Sequence, residues 1–307
     1  MTRDFIILIV ISSLLFVVDS SEYPSLSDKG FGSISNISPH SQLQLGDVIE
    51  GLSTLRRYLQ FSGYHKDTLN PDSDEFTEDL KSALRVFQRT YNLDVTGQPD
   101  SRTVSLITQP RCGVPDVING DSIVSEDDSE KIIDWMSPLN KNDFTYGFYP
   151  ANNVKLLSEA AFKATVADAF SWWEKELDGK TFTETLWSDQ SDIGIVFLPL
   201  DGKLGVVGTT VSDSTPSWVI YLDSDENWVG TDVMTEADPL DLEWEVKHQI
   251  GHVLGYGHAV NSTSVMHPFI YIGDESSTTT PLLQTHLHGG AAGGVGAGMG
   301  TGFNFFA

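Results

Sequence analysis

A chain of 307 residues allows one or two ordinary domains, each able to bury a core, and a hydrophobic content of 40% with seven tryptophans describes a globular protein. A formal net charge of −25 excludes partners held by attraction to anions, so neither nucleic acid nor an anionic membrane surface suits it. The acidity fits a solvated surface or a protein that takes up calcium.

Residues 5–18 form an apolar run, preceded by Arg3 and followed by Asp19-Ser20-Ser21. The run is shorter than the ~20 residues of a membrane-spanning helix and has the layout of a secretory signal cut near Ser20. Residues 1–20 are therefore read as a signal peptide, and a secreted protein without a transmembrane segment is expected. The glycosylation acceptors Asn36-Ile37-Ser38 and Asn261-Ser262-Thr263 agree with export, although such triplets recur by chance. Cys112 is the only cysteine, so no intrachain disulfide can form and its thiol needs another explanation.

Over about 42–107 the pattern is helical. Val48, Leu52, Leu55 and Leu59 give one apolar stripe, and Phe76, Leu80, Leu84, Phe87 and Tyr91 give a second. Pro71-Asp72-Ser73-Asp74 separates them as a loop with a helix-start signal. Residues 118–142 are polar and acidic without a dibasic pair and read as an exposed boundary. A second domain opens near Asp143 with the alternating strand Phe144-Thr145-Tyr146-Gly147-Phe148. Ser158 can cap a helix whose apolar face is Phe162, Val166, Phe170 and Trp173, the spacing of core packing. Strands are expected at 180–185, 193–198 and 217–222, and Asp238-Pro239 is expected to start the last helix.

That last helix carries the chemistry. His248 and His252 are four apart, so their rings share one helix face. Two imidazole nitrogens at that separation can reach one ion at about 2.0–2.1 Å. Gly255 can adopt positive φ and stop the helix, so the chain turns back and His258 arrives as a third ligand. Neutral imidazoles suit zinc.

Residues 248–258, His-Gln-Ile-Gly-His-Val-Leu-Gly-Tyr-Gly-His, resemble the metzincin signature H-E-x-x-H-x-x-G-x-x-H. Ser264-Val265-Met266-His267-Pro268 resembles the Met-turn that follows it, with Met266 as the methionine. Within the metzincins the resemblance is to the matrix metalloproteinases (matrixins), in the short form of plant matrixins without a haemopexin domain. It implies an α+β chain. A propeptide with a small helical bundle would span 21–116, an activation segment 117–139, a catalytic domain 140–275 and a flexible Ser/Thr- and Gly-rich tail 276–307. The catalytic domain would hold a twisted mixed sheet and a zinc-binding helix.

The resemblance assigns roles to further residues. The text from Leu80 through Thr96-Gly97-Gln98-Pro99-Asp100 to Leu106 resembles the peptidoglycan-binding-like fold of matrixin propeptides. Pro110-Arg111-Cys112-Gly113-Val114-Pro115-Asp116 matches the matrixin cysteine switch. Cys112 would then fill the fourth zinc position, and Arg111 with Asp116 would pair to shape the loop. Asp201-Gly202 and Asp223-Ser224-Asp225-Glu226 resemble structural calcium loops, with Asp201, Asp223 and Glu226 as oxygen ligands; an ordinary acidic turn is the other reading. The family's second, structural zinc is held mainly by histidines, and none lies between His65 and His248, so one zinc only is expected.

One position departs from the pattern. Gln249 stands where the family has its catalytic glutamate. An amide can hydrogen-bond a metal-bound water but cannot take and return its proton. General acid–base catalysis is worth roughly 10²–10⁴ in rate, so turnover is expected to be strongly impaired. Glu245 lies one turn earlier, ~5.4 Å along the axis, too far to replace the lost base directly. His267 is expected to be a surface or loop residue. Three readings follow. The first is a monomeric zinc endopeptidase of extracellular proteins or peptides, located in extracellular matrix or cell wall, held latent by its own propeptide and impaired by Gln249. The second is a silent homologue that holds zinc and peptides as a decoy or scaffold. The third is a cell-wall polysaccharide-binding module carried by the first domain.

Overall fold

The computed structural model describes residues 37–65, 72–125, 141–149, 157–186, 190–212, 218–229 and 239–270, and the backbone of 8–11 and 14–17. The expected signal cleavage at Ser20, the Asn36 acceptor, most of the boundary segment, Asp238 and the tail from 276 lie outside the described residues. In the apolar N-terminal run, β1 (Leu8–Ile11) and β2 (Leu14–Val17) pair antiparallel.

The first helical stripe begins later than expected. Helix α1 (Leu52–Phe61) buries Leu52, Leu55, Tyr58 and Leu59, but Val48 lies outside it and is 72% exposed. Gly51 sits at φ 96° immediately before the helix, and the backbone at Asp47 and Ile49 bonds instead to Phe76 and Asp74. Those hydrogen bonds hold residues 47–49 in extended pairing, so the stripe cannot reach back to Val48.

Helix α2 (Glu78–Thr90) is capped by Thr77, whose side chain accepts from the Leu80 amide, three residues beyond the expected start signal. Glu78 and Asp79 in its first turn and Arg89 in its last suit the helix dipole. Helix α3 (Ser101–Ile107) is capped by Asp100, which accepts from the Thr103 amide at 3.0 Å. Buried Gln88 joins the two helices: its amide donates to Gln98 O at 2.8 Å and to Thr103 Oγ1 at 2.9 Å. The three helices enclose one core of Leu55, Leu59, Phe76, Leu80, Leu84, Phe87 and Ile107, which also takes in Phe269 from the far end of the described chain.

After α3 the chain forms β3 (Arg111–Cys112) and a hairpin of β4 (Val117–Ile118) and β5 (Asp121–Ser122). The second domain follows with β6 (Asp143–Phe148), α4 (Glu159–Glu176), β7 (Thr181–Glu184), β8 (Ile193–Leu198), β9 (Val206–Ser212) and β10 (Trp218–Asp223). It continues with β11 (Trp228–Val229), β12 (Leu240–Asp241) and α5 (Leu242–Val253). Six strands form one mixed sheet in the order β3-β9-β10-β8-β6-β7, in which only the β9–β10 pair is antiparallel. Strand β9 is absent from the sequence expectations.

Helices α4 and α5 pack on this sheet. Phe162, Val166, Phe170 and Trp173 of α4 meet Leu242, Val246, Ile250 and Val253 of α5 in one core, and the Trp173 indole donates to Lys247 O at 2.8 Å. The cap of α5 is Asp241, whose carboxylate accepts from the Trp244 amide at 3.0 Å. Asp238-Pro239 cannot start the helix, because Leu240 and Asp241 are still extended and pair in parallel with β11.

The segment around Cys112 belongs to the sheet. Arg111 N donates to Gly205 O at 3.0 Å, Cys112 N to Pro268 O at 2.8 Å and Gly113 N to Gly208 O at 2.7 Å. Gly113 is required there: a Cβ would come within 2.7 Å of Val206 and 2.8 Å of Thr209. The first domain is thus woven into the edge of the second.

Candidate metal centre

Helix α5 places His248 and His252 on one face. Beyond Val253, Gly255 at φ 89° reverses the chain, with Gly255 N bonding to His252 O at 3.0 Å and Tyr256 N to Gly251 O at 2.9 Å. This Gly-based stop brings His258 back beside the other two rings. Ligand atoms of Cys112, His248, His252 and His258 lie within 4.8 Å of one another, the only such group among the described residues, and all four side chains are buried.

Each imidazole is oriented by an acceptor on its outer nitrogen. His248 Nδ1 meets Val265 O at 2.8 Å, His252 Nδ1 meets Tyr256 O at 2.9 Å, and His258 Nδ1 meets Asp116 Oδ1 at 2.7 Å. The hydrogen therefore resides on Nδ1 and the Nε2 lone pairs turn inward. His248 Nε2 and His252 Nε2 are 3.0 Å apart, Cys112 Sγ is 3.4 Å from His252 Nε2, and His258 Nε2 is buried without a hydrogen bond. Lone pairs brought this close in a dry interior fit a cation and little else. Three imidazoles and a thiolate form a donor set suited to tetrahedral zinc. Burial pushes the His248 and His252 pKa values well below the ordinary value, which keeps them in the neutral, ligating form.

The same contacts tie Cys112 down. Burial, and next the Glu245 charge, push its thiol up, so a thiolate here needs a cation beside it. Arg111 donates from Nη2 to Asp116 Oδ1 at 2.9 Å, from Nη1 to Tyr58 OH and Ser62 Oγ at 3.0 Å each, and from Nε to Cys112 O at 2.9 Å. Burial works against ionising Asp116, but Arg111 and then His258 hold its carboxyl well below the usual carboxylate range.

Two family models match this chain: that described as Matrixin over residues 138–284 and that described as Putative peptidoglycan binding domain over residues 50–107. Metalloendoproteinase 5-MMP of Arabidopsis thaliana is 34% identical over 283 residues, 83% of this chain and 75% of the relative. Metalloendoproteinase 1 of Glycine max is 31% identical over 243 residues, 73% of this chain and 76% of the relative. The chain belongs to the matrixin family. Matrix metalloproteinase-25 of Mus musculus is 29% identical over 66% of this chain but only 34% of its own length. By family, then, this matrixin stands among the zinc metalloendopeptidases.

The remaining residues of the matrixin pattern fall around the centre. Met266 is fully buried, and its sulfur would collide with any Cβ at Gly251 in the helix that carries His248 and His252. Gln249 lies at the heart of the site. Its Oε1 accepts from Thr210 Oγ1 at 2.6 Å, and its Nε2 donates to Glu245 Oε1 at 2.7 Å and to Cys112 Sγ at 3.2 Å. Glu245 is therefore one step removed, reaching the sulfur only through the amide. His267 is no surface residue: it is 4% exposed, its Nδ1 lies 3.1 Å from Ala259 O, and burial lowers its pKa to about 4. Phe269, seated in the helical core, draws this turn inside.

Asp201, Asp223 and Glu226 gather at the β9 and β10 ends. Asp201 accepts from Val206 N at 3.1 Å, Asp223 Oδ2 from Asp201 N at 3.3 Å, and Glu226 Oε1 from Leu204 N at 2.6 Å. Glu226 Oε2 is buried without a partner. Burial raises Asp201 to about 7, Asp223 to about 6 and Glu226 to about 7. Thr210 and the Asp116–His258 contact were invisible to motif reading. The β-branched run at 206–211 is the one signal that could have revealed Thr210.

Proposed function

We propose that this matrixin is a zinc-holding zymogen closed by Cys112, whose capacity to hydrolyse peptide bonds is strongly impaired by Gln249. The observation that carries this reading is the Gln249 amide facing Cys112 Sγ at 3.2 Å, with no carboxylate in its place. His248, His252 and His258 would hold the zinc, and Cys112 would be its fourth ligand in the latent form. Zinc bound there supplies Lewis-acid polarisation of a carbonyl and a water of lowered pKa. The chain's own residues supply orientation: Val265 O, Tyr256 O and Asp116 fix the three rings, and Thr210 fixes the amide. Gln249 cannot take a proton from a water at that position and pass it to a leaving amine, because a neutral amide is too weak a base to be protonated at any accessible pH.

The helical domain acts as the propeptide. Its support is the way Tyr58 and Ser62 of α1 and the α1 cap hold Arg111 while Phe269 fills the helical core. This favours a propeptide over an independent wall-binding module. Asp201, Asp223 and Glu226 are proposed to take calcium, since buried carboxylates with an unpaired oxygen suit a hard cation. The protein is proposed to act outside the cell, on extracellular proteins or peptides and as a monomer; the expected signal segment supports this reading. No helix among the described residues is long and apolar enough to cross a membrane.

The test is a paired assay of peptide hydrolysis by wild type and Gln249→Glu after propeptide removal, with zinc content measured on both. Stoichiometric zinc with a wild-type rate far below that of the variant supports the reading. Equal rates, or a zinc-free protein, would overturn it. A wild-type rate of zero would leave the silent, zinc-holding homologue as the form this reading takes.

A further inference from the structure

Gln249 is more than a missing acid. Its two amide hydrogens are both engaged, one by Glu245 Oε1 at 2.7 Å and one by Cys112 Sγ at 3.2 Å, while Thr210 Oγ1 donates to its oxygen at 2.6 Å. A hydroxyl donor at one end and a carboxyl acceptor at the other select a single orientation of the amide, the one that aims N–H at the sulfur. Glu245 is 1% exposed, and space for it is built into the sheet: a Cβ on Gly208 of β9 would collide with its Oε1. An ionised glutamate at 249 would turn only acceptors toward the sulfur. It would also face the Glu245 carboxyl across the present hydrogen-bond distance.

We propose that Gln249 is a latch that holds the switch sulfur by an N–H···S hydrogen bond, and that Glu245 is the positioning residue that aims it. This rests on the cysteine-switch reading above and names its regulation. The exchange of acid for amide at 249 removes a base and adds a lock, so the latent state lies deeper than a glutamate would allow. Hydrogen bonds to a ligating sulfur tune the metal centre as well as hold the ligand.

The experiment uses the full-length, zinc-loaded protein and follows reaction of Cys112 with a small disulfide reagent, with bound zinc measured in parallel. Gln249→Glu and the similarly sized Gln249→Leu are expected to react roughly tenfold faster than wild type, the effect of one lost hydrogen bond to a charged group. Glu245→Val is expected to react as fast as these, whereas Glu245→Gln, which keeps an acceptor for the amide, stays near the wild-type rate. In the cobalt-substituted protein the sulfur-to-metal absorption band shifts to longer wavelength in the first three variants and not in Glu245→Gln. Packing alone would not produce that spectral pattern. Gln249 variants that keep zinc, react at the wild-type rate and leave the band unmoved would overturn the latch. Glu245→Gln behaving like Glu245→Val would overturn the positioning role. Wild-type protein without zinc or without a cobalt–sulfur band would instead overturn the switch reading beneath it.

Discussion

Asp116 Oδ1 and His258 Nδ1 meet at 2.7 Å across 142 residues of sequence, in a fully buried contact. The segment that precedes the second domain therefore touches the candidate metal centre twice: Cys112 Sγ lies 3.4 Å from His252 Nε2, and Asp116 orients the His258 ring. Outer partners of this kind are worth roughly 10–100-fold in metal affinity. Asp116→Asn is expected to weaken zinc binding by about that factor, read by competition with a chromophoric chelator on the full-length protein. Unchanged affinity would show that the contact is incidental.

Removing the same carboxyl outright has a second consequence. Asp116→Ala leaves the Arg111 guanidinium buried without its counter-charge, and breaking a buried pair in this way costs roughly 3–5 kcal/mol. Denaturant unfolding of the full-length variant should show a loss on that scale. The group's pH dependence has a definite sign. Its folded pKa lies below the unfolded value of about 3.9, so its contribution is complete above that pH and fades as pH falls further.

Glu226 titrates in the opposite sense. Burial raises its folded pKa to about 7, so without a cation the ionised group destabilises the fold. That penalty is absent below the unfolded pKa near ~4.3, grows between there and about 7, and is complete above. At pH 8 in a calcium chelator, Glu226→Gln should melt higher than wild type, and the difference should vanish near pH 4. With calcium present the order at pH 8 should reverse. Melting curves unaffected by calcium would remove the ion site.

Restoring the acid at 249 is not expected to restore full turnover. In Gln249→Glu the new carboxyl faces Glu245, and two like charges so close force one to keep a proton. The double variant Glu245→Val with Gln249→Glu should therefore exceed the single variant in peptide hydrolysis at neutral pH after propeptide release. The gain over wild type should approach the roughly 10²–10⁴ that general acid–base catalysis supplies. A double variant no faster than the single one would show that the two side chains do not compete.

Phe269 reports on the union of the two domains. It belongs by sequence to the end of the second domain and by packing to the helical core. Phe269→Ala should destabilise the full-length protein by about 3–5 kcal/mol, the usual range for a buried phenylalanine. The same substitution should matter much less after residues 37–116 are removed, which paired unfolding curves would show.

Much of this architecture is legible in local pattern. The apolar faces of α2 and α4, the strands β6, β8 and β10, and the four-residue spacing of His248 and His252 follow from periodicity alone, because each reflects one element meeting one core. The rest depends on distant partners. Val48 leaves its stripe because residues 47–49 pair with 74–76, and Asp238 loses the cap to Asp241 because β12 extends the chain by two more residues. Strand β9 is interrupted by Gly208, where a Cβ would collide with Glu245, so its pattern is faint although Thr210 on it touches the centre. His267 lies beside Phe269, whose own partners are in a helical core far away in sequence.

Strand β3 also has a consequence for whatever remains once it departs. Arg111 and Gly113 use the carbonyls of Gly205, just before β9, and of Gly208 within it. Stripped of that cover, β9 becomes a bare sheet margin with unmet hydrogen-bonding groups, the kind of margin that recruits any extended chain within reach. On the reading proposed above, the segment that closes the centre would also cover this margin, and a second domain freed of it would be expected to pair with a peptide or with another copy.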